Sequence, residues 1–263
     1  MLDKWLNRSP RAEDTFVGFR VEDLVELEAC TEEMKKHLAE LMRKSAINYQ
    51  FLAELAEHLE WPTTAGIVAS RMPTQNNTKR GRFGEVVGVA LLQELMNYVN
   101  PVEKGHFSIT SDQSPPGTDA VLLMLDGQSA VVTEVCFVES KLRTVRDANA
   151  AVEGATQLAT DQEQDLPDML LFVAARLYER GDPLFQPFAK YLGSRSTEHA
   201  DSSRLLLFYD SSVWQERVLE NLRDAEPKLG RFGVVVTCLP NLRDLVAEVF
   251  SAAGMTVEDD DGS

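Results

Sequence analysis

The sequence predicts an α/β fold: one mixed β-sheet flanked by helices, preceded by an N-terminal helical region. Three observations carry that expectation. Two runs rich in β-branched and aromatic residues flank Asp126-Gly127, the strongest hairpin signal in the chain. Beyond residue 142, helical and strand-like segments alternate, which calls for crossovers and parallel pairing. Between residues 21 and 59, apolar residues from Leu24 and Leu27 through Met34, Leu38 and Leu41 to Leu55 and Leu59 recur at helical intervals.

Taken in order, residues 1–20 read as a loose lead-in. Thr31 followed by Glu32-Glu33 marks a helix start, with a capping hydroxyl and acids in the first turn. Trp61-Pro62 ends the helical region. Residues 63–78 form a polar connector, and residues 79–99 a helix in which Gly84 and Gly88 allow close approach to neighbouring chain. Residues 106–111 and 118–125 read as strands, joined by the turn at 112–117, and residues 131–141 as the strand that closes the hairpin. A helix is expected over 142–164. The continuous apolar run at 169–175 fits a strand covered on both faces. Residues 183–192 suit a helix, 193–203 a loop, 205–209 a strand, 212–224 a helix, 232–239 a strand and 242–253 a helix. The domain reading is a helical region over 1–78, a mixed-sheet domain over 79–254 and an acidic disordered tail over 255–263.

The composition, 44% hydrophobic and 26% charged over 263 residues, is that of a globular protein. No apolar run reaches the length of a membrane span and the start lacks a secretory pattern, so the expectation is a cytoplasmic protein with no membrane partner. Cys30, Cys136 and Cys238 are odd in number and far apart, which argues against disulfides and zinc modules. The four histidines are scattered, and neither a phosphate loop nor a nucleophile elbow is present. The net charge of −16 is unlike that of a self-sufficient nucleic-acid binder. A DNA-acting chain this acidic needs a local basic patch, metal ions or a partner that holds the DNA.

The sharpest local conflict lies at Glu139-Ser140-Lys141, where a buried-looking strand ends in charge. Alternation puts Glu139 and Lys141 on one face and Glu134 on the other. Hairpin pairing brings Asp119, at the entrance of the preceding strand, to the same end of the sheet as Glu139. Two carboxylates plus water form the usual protein share of a Mg²⁺ site, and Glu85 on the earlier helix can complete it. A lysine beside such a site suits phosphodiester hydrolysis, where it orients water or holds developing charge. The competing reading for an isolated Glu-x-Lys is an edge ion pair. Arg71, Lys79, Arg80 and Arg82, with Arg143 and Arg146, either line a DNA path or are ordinary solvated cations.

The helix carrying Gly84-Glu85, the Gly-Thr-Asp at 117–119 and the Val-Glu-Ser-Lys at 138–141 resemble the PD-(D/E)xK nuclease superfamily, with Thr-Asp in place of Pro-Asp. The resemblance implies a restriction-endonuclease-like fold, with residues 79–254 as the nuclease-like domain. It also implies Asp119, Glu139 and Glu85 as ligands of Mg²⁺ or Mn²⁺, Lys141 as the water-orienting residue and Gln157 as a helper. Over residues 80–175 the motifs are also similar to the HamA family, the nuclease subunit of the Hachiman antiphage defence system. That likeness implies a DNA nuclease acting with a helicase partner. Two alternatives stay open: a non-catalytic interaction subunit of nuclease-like fold, and a DNA repair nuclease. The residue types do not exclude RNA as substrate.

Overall fold

The computed structural model describes residues 2, 5, 7–10, 15–16, 19–26, 30–46, 66, 70–108, 111–112, 117–127, 131–194 and 201–254. They form a mixed α/β fold. The strands are β1 (Asn7–Pro10), β2 (Thr15–Phe16), β3 (Phe19–Glu26), β4 (Ala120–Leu125), β5 (Val132–Arg143), β6 (Ser202–Asp210) and β7 (Phe232–Leu239). The helices are α1 (Glu32–Ala46), α2 (Asn76–Met96), α3 (Ala150–Gln164), α4 (Leu166–Glu179), α5 (Phe185–Ser194), α6 (Arg217–Asp224) and α7 (Leu242–Gly254).

The strand order is β1-β3-β7-β6-β5-β4, with β2 paired to β3. The β4–β5 hairpin is antiparallel, whereas β5–β6, β6–β7 and β3–β7 are parallel. This is the expected mixture: a tight turn forces antiparallel pairing, and helical crossovers permit parallel pairing. β7, Phe-Gly-Val-Val-Val-Thr-Cys-Leu, is buried throughout. It lies between β3 and β6 with helices on both faces, the setting in which a strand reads as continuously apolar.

Alternate residues of β5 feed two cores. Cys136 and Val138 pack with Leu206 and Phe208 under α1, α2 and α7. Val135 and Phe137 pack with Leu205 and Leu207 under α3, α4, α5 and α6. Two glycines set how closely α2 lies on the first face. A Cβ at Gly88 would stand 2.3 Å from Leu206 Cδ1, and one at Gly84 would stand 3.2 Å from Ser140 Oγ.

Several expected elements take another form. Residues 21–26 belong to strand β3 rather than a helix. In so short a run helical and strand periods overlap, and parallel pairing with the fully buried β7 decides between them. The N-terminal stretch is helical in α1, where Thr31 Oγ1 accepts the Met34 N–H as expected of a cap, at 3.2 Å. Residues 47–65, residues 195–200 of the expected loop and the expected tail at 255–263 lie outside the described residues. The apolar run at 169–175 is the middle of helix α4, not a strand. Met169, Leu170, Val173 and Leu177 form its buried stripe, and Pro167 sits in its first turn. Of the strand expected at 106–111, residues 106–107 belong to a 3₁₀ turn, Lys104–Phe107, and residues 109–110 lie outside the described residues; the nearby sheet contact is a single antiparallel bridge, Val99 to Leu123. β5 runs on to Arg143, so the following helix begins only at Ala150. The helix expected from 212 begins at Arg217; Val218 is buried, and Trp214 packs on Tyr209 with ring centroids 5.0 Å apart.

Candidate functional site

The site is built on the open end of the β4–β5 hairpin. Ala120 pairs with Val138, so one further step of register sets Asp119 opposite Glu139. Asp119 Oδ2 accepts two bonds from Ser140, 2.7 Å from its backbone N and 2.6 Å from Oγ. The carboxylate before one strand is thereby tied to the end of the other. Glu139 is buried, with 6% of its surface exposed. Its Oε1 accepts from Lys141 Nζ at 2.7 Å, so the two side chains do share a face.

The electrostatics are unfavourable to ionised carboxylates. Burial pushes the Glu139 carboxyl up to about 7; the negative charge of Asp119 adds to this and Lys141 opposes it. Asp119, Glu139 and Lys141 open onto one cleft of about 470 Å³, which Asn77, Arg80 and Arg243 also line.

Glu85 approaches from the other side of the sheet. It follows Gly84, whose Cα lies against Ser140, so it belongs to the face that carries α2 rather than the face of Glu139 and Lys141. It borders a narrow space shared with Lys104, Gly105 and Asp119. Burial pushes its carboxyl up to about 7; Arg82, with Nη1 3.8 Å away, opposes the shift and Asp119 reinforces it. Asp119 therefore borders both spaces: it stands with Glu139 and Lys141 in the open cleft, and with Glu85 in the closed one.

Two residues of this neighbourhood were not singled out by the sequence. Lys104 Nζ donates to the carbonyls of Gly117 and Thr118, at 2.9 and 2.6 Å, and so holds the two peptide units before Asp119. Burial lowers its pKa, while Glu85, Asp119, Glu139 and Asp161 raise it. Asp161, on α3, is 3% exposed. Its Oδ1 accepts from Gln157 Nε2 at 2.6 Å, and its Oδ2 has no hydrogen-bond partner among the described residues. Gln157 thus engages Asp161, one turn further along α3. A lone lysine in a loop and a lone aspartate in a polar helix break no pattern; the one available signal was the Gln157–Asp161 spacing of a helical turn.

The basic cluster divides. Arg82 is buried and donates to Ser108 Oγ at 2.9 Å, so it braces the fold. Arg71 donates to the Ser108 carbonyl at 3.3 Å. Arg143 is held by Asp147 and Glu153. Arg80 and Arg243 face the cleft. Glu134 lies on the other face from Glu139, as parity requires, and is buried in a polar knot. Tyr98 donates to it at 2.5 Å, Ser202 donates to the same oxygen, and Arg231 pairs with the other at 2.8 Å.

A divalent metal suits this donor set. Asp119 and Glu139 offer hard carboxylate oxygens, and Asp161 Oδ2, on a carboxylate whose charge also acts on Glu139, has no hydrogen-bond partner among the described residues. Among the described residues no group of three or more His, Cys, Asp or Glu side chains is gathered closely enough to hold a metal. A cation here would take a carboxylate pair from the protein and complete its shell with water, which is how Mg²⁺ is commonly held. No helix among the described residues is long and apolar enough to cross a membrane.

A family model described as HamA matches residues 1–253 of the chain. A Bacillus cereus protein named Hachiman protein HamA is 29% identical over 148 residues, covering 56% of this chain and 50% of that protein. The matched stretch thus spans half the length of this curated relative.

Proposed function

The chain belongs to the HamA family, and from that premise we propose that it is a metal-dependent nuclease, the effector of an antiphage defence system, which hydrolyses DNA phosphodiester bonds together with a helicase partner. The observation that carries the nuclease reading is the convergence of Asp119, Glu139 and Lys141 on one cleft, with Asp119 fixed by Ser140.

Asp119 and Glu139 would hold a Mg²⁺ or Mn²⁺ ion, with Glu85 a further carboxylate behind Asp119. Such an ion, when bound, polarises the phosphate and acidifies its water. The chain's own residues supply the rest. Ser140 fixes the Asp119 carboxylate in orientation. Lys104 fixes the backbone that precedes it. Lys141 places a cation beside Glu139, where it orients the attacking water and balances charge on the phosphoryl oxygens. Arg80 and Arg243 are positioned to meet phosphates on the cleft wall. In the reaction the water oxygen forms the new bond to phosphorus, the bond to the departing sugar oxygen breaks, and that oxygen takes up a proton.

With a net charge of −16, the chain has few cations to spare for a DNA backbone. The helicase supplies most phosphate contacts in this reading, and the nuclease acts on DNA already held. The purified chain, alone and with its partner, should nick or degrade plasmid only when Mg²⁺ or Mn²⁺ is present. Glu139→Ala and Lys141→Ala should each abolish cleavage while circular dichroism stays that of the parent. Cleavage by both variants at the parent rate would overturn the assignment.

A further inference from the structure

Beside the cleft lies a second cavity of about 190 Å³, lined by Val121, Met169 and Phe172 together with Lys104, Asp165 and Asp168. It belongs to the same face of the sheet as Glu139. Val121 pairs with Phe137 on that face, and Asp119 precedes Val121 by two residues. Along a strand that is a separation of about 7 Å. The cavity therefore begins one side-chain step from the proposed metal ligands.

Its chemistry is specific. The volume falls well below the roughly 300–1,000 Å³ of sites for drug-sized ligands, and suits one flat ring system. Phe172 is held rigidly. Its ring meets Phe107 edge-on at 5.4 Å and 89°, and the Arg176 guanidinium lies 5.0 Å from the Phe107 centroid and 5.5 Å from that of Phe172. A fixed aromatic ring in a lining shared with Val121 and Met169 favours a flat π-system over a flexible chain. The carboxylates of Asp165 and the exposed Asp168 repel phosphate and accept hydrogen bonds from amino groups. The group that combines a flat apolar body with an amino-bearing edge, and that lies a short reach from a phosphodiester, is a nucleobase.

We propose that this cavity receives an unpaired base of the DNA strand being cut, making the site selective for single-stranded DNA. The proposal rests on the nuclease reading and gives it a substrate class. A base in duplex must leave its stack and its partner to enter, whereas an unpaired base enters at little cost. Adenine and cytosine, with exocyclic amino groups, fit the carboxylates better than thymine, whose carbonyl oxygens would face them.

The test measures binding apart from cleavage. Full-length Glu139→Gln protein is titrated into short labelled single strands, into the same strands bearing abasic residues, and into duplex. Normal strands should bind about tenfold more tightly than abasic strands, the scale of one base–aromatic stack, and more tightly than duplex. Phe172→Leu should reduce normal strands to the abasic level, Phe172→Tyr should retain the preference, and Asp168→Asn should erase discrimination against oligothymidine. Equal affinity for normal and abasic strands, no binding of either, or an unaltered preference in Phe172→Leu would overturn the proposal. Cleavage by the unmutated chain separates the two readings. Cutting without a preference for unpaired bases leaves the nuclease and removes the pocket. A base preference without cutting leaves the pocket and removes the nuclease.

Discussion

Glu139 carries the tension of the whole site in one side chain. It is buried near another carboxylate, and its folded form favours the proton. Glu139→Gln keeps the shape and removes the charge. In metal-free buffer above pH 7 it should raise the melting temperature by about 2–4 °C, the shift that roughly 1 kcal/mol produces in a chain of this size. Divalent-metal binding, followed by calorimetry, should be lost in the same variant. A residue kept at the expense of stability is expected where function requires it. Asp210 shows the opposite sign. Burial raises its carboxyl, but bonds from Ser212 Oγ and N and from Leu242 N outweigh burial and hold it below the usual carboxylate range. Its contribution is complete above the unfolded value of about 3.9, and is lost as pH falls through the lower folded value. Asp210→Asn should therefore melt below the parent at pH 7, and the gap should narrow as melts are repeated toward pH 3. The residues legible in the sequence were those that broke a pattern: charge at 139 and 141 ending a strand of Val, Cys and Phe, and Asp119 opening its partner. Lys104 stayed hidden because a lysine in a loop violates nothing; only the folded chain turns its ammonium onto the Gly117 and Thr118 carbonyls.

At the scale of elements, α3 lies against the strand that carries Glu139 and Lys141. Gly154 makes this possible: a Cβ there would stand 2.4 Å from Leu205 Cδ1 and 3.2 Å from Lys141 Cγ. From the sequence alone this glycine looks like a blemish in a helix, at a cost of about 1 kcal/mol against alanine. The structure gives its reason, contact with the strand beneath. Gly154→Val should destabilise by about 1–3 kcal/mol, as overpacking does, read from urea denaturation. It should also slow cleavage more than the stability loss accounts for, because it displaces Lys141. A variant as stable and as active as the parent would refute this account. Two of the misread elements have a common cause. In β3 and α4 a short apolar run satisfies both periods, and the decision lies with a partner far away in sequence: β7 for the first, the underside of β4 and β5 for the second. The hairpin and the later strands were legible because their turn signals and β-branched runs are local.

At the scale of the whole molecule, β3 covers an edge of β7, and α1 packs beside α7 on the same side. Residues 79–254 expressed alone would leave β7 with an unpaired edge and the α7 face uncovered, so this piece should aggregate or melt well below the full chain, as size-exclusion chromatography and thermal melts would show. A soluble piece of unchanged melting temperature would show the opposite. The mixed sheet and its flanking helices followed from order alone, whereas the strand joining from the N-terminal side required knowledge of where β7 lies. The acidic balance is likewise a property of the whole chain: local cations at Arg80 and Arg243 face the cleft, yet the sum repels DNA.

The bond between Asp119 and Ser140 has one more consequence. It forms only when β4 and β5 pair in their native register, because a slip of one residue turns Ser140 toward the place of Glu139 and sends Glu139 to the opposite face. A nascent or misassembled chain would carry every residue of the candidate site but would not gather them. Under the proposed nuclease reading, correct folding then doubles as a safety catch for the DNA of the cell that makes the chain.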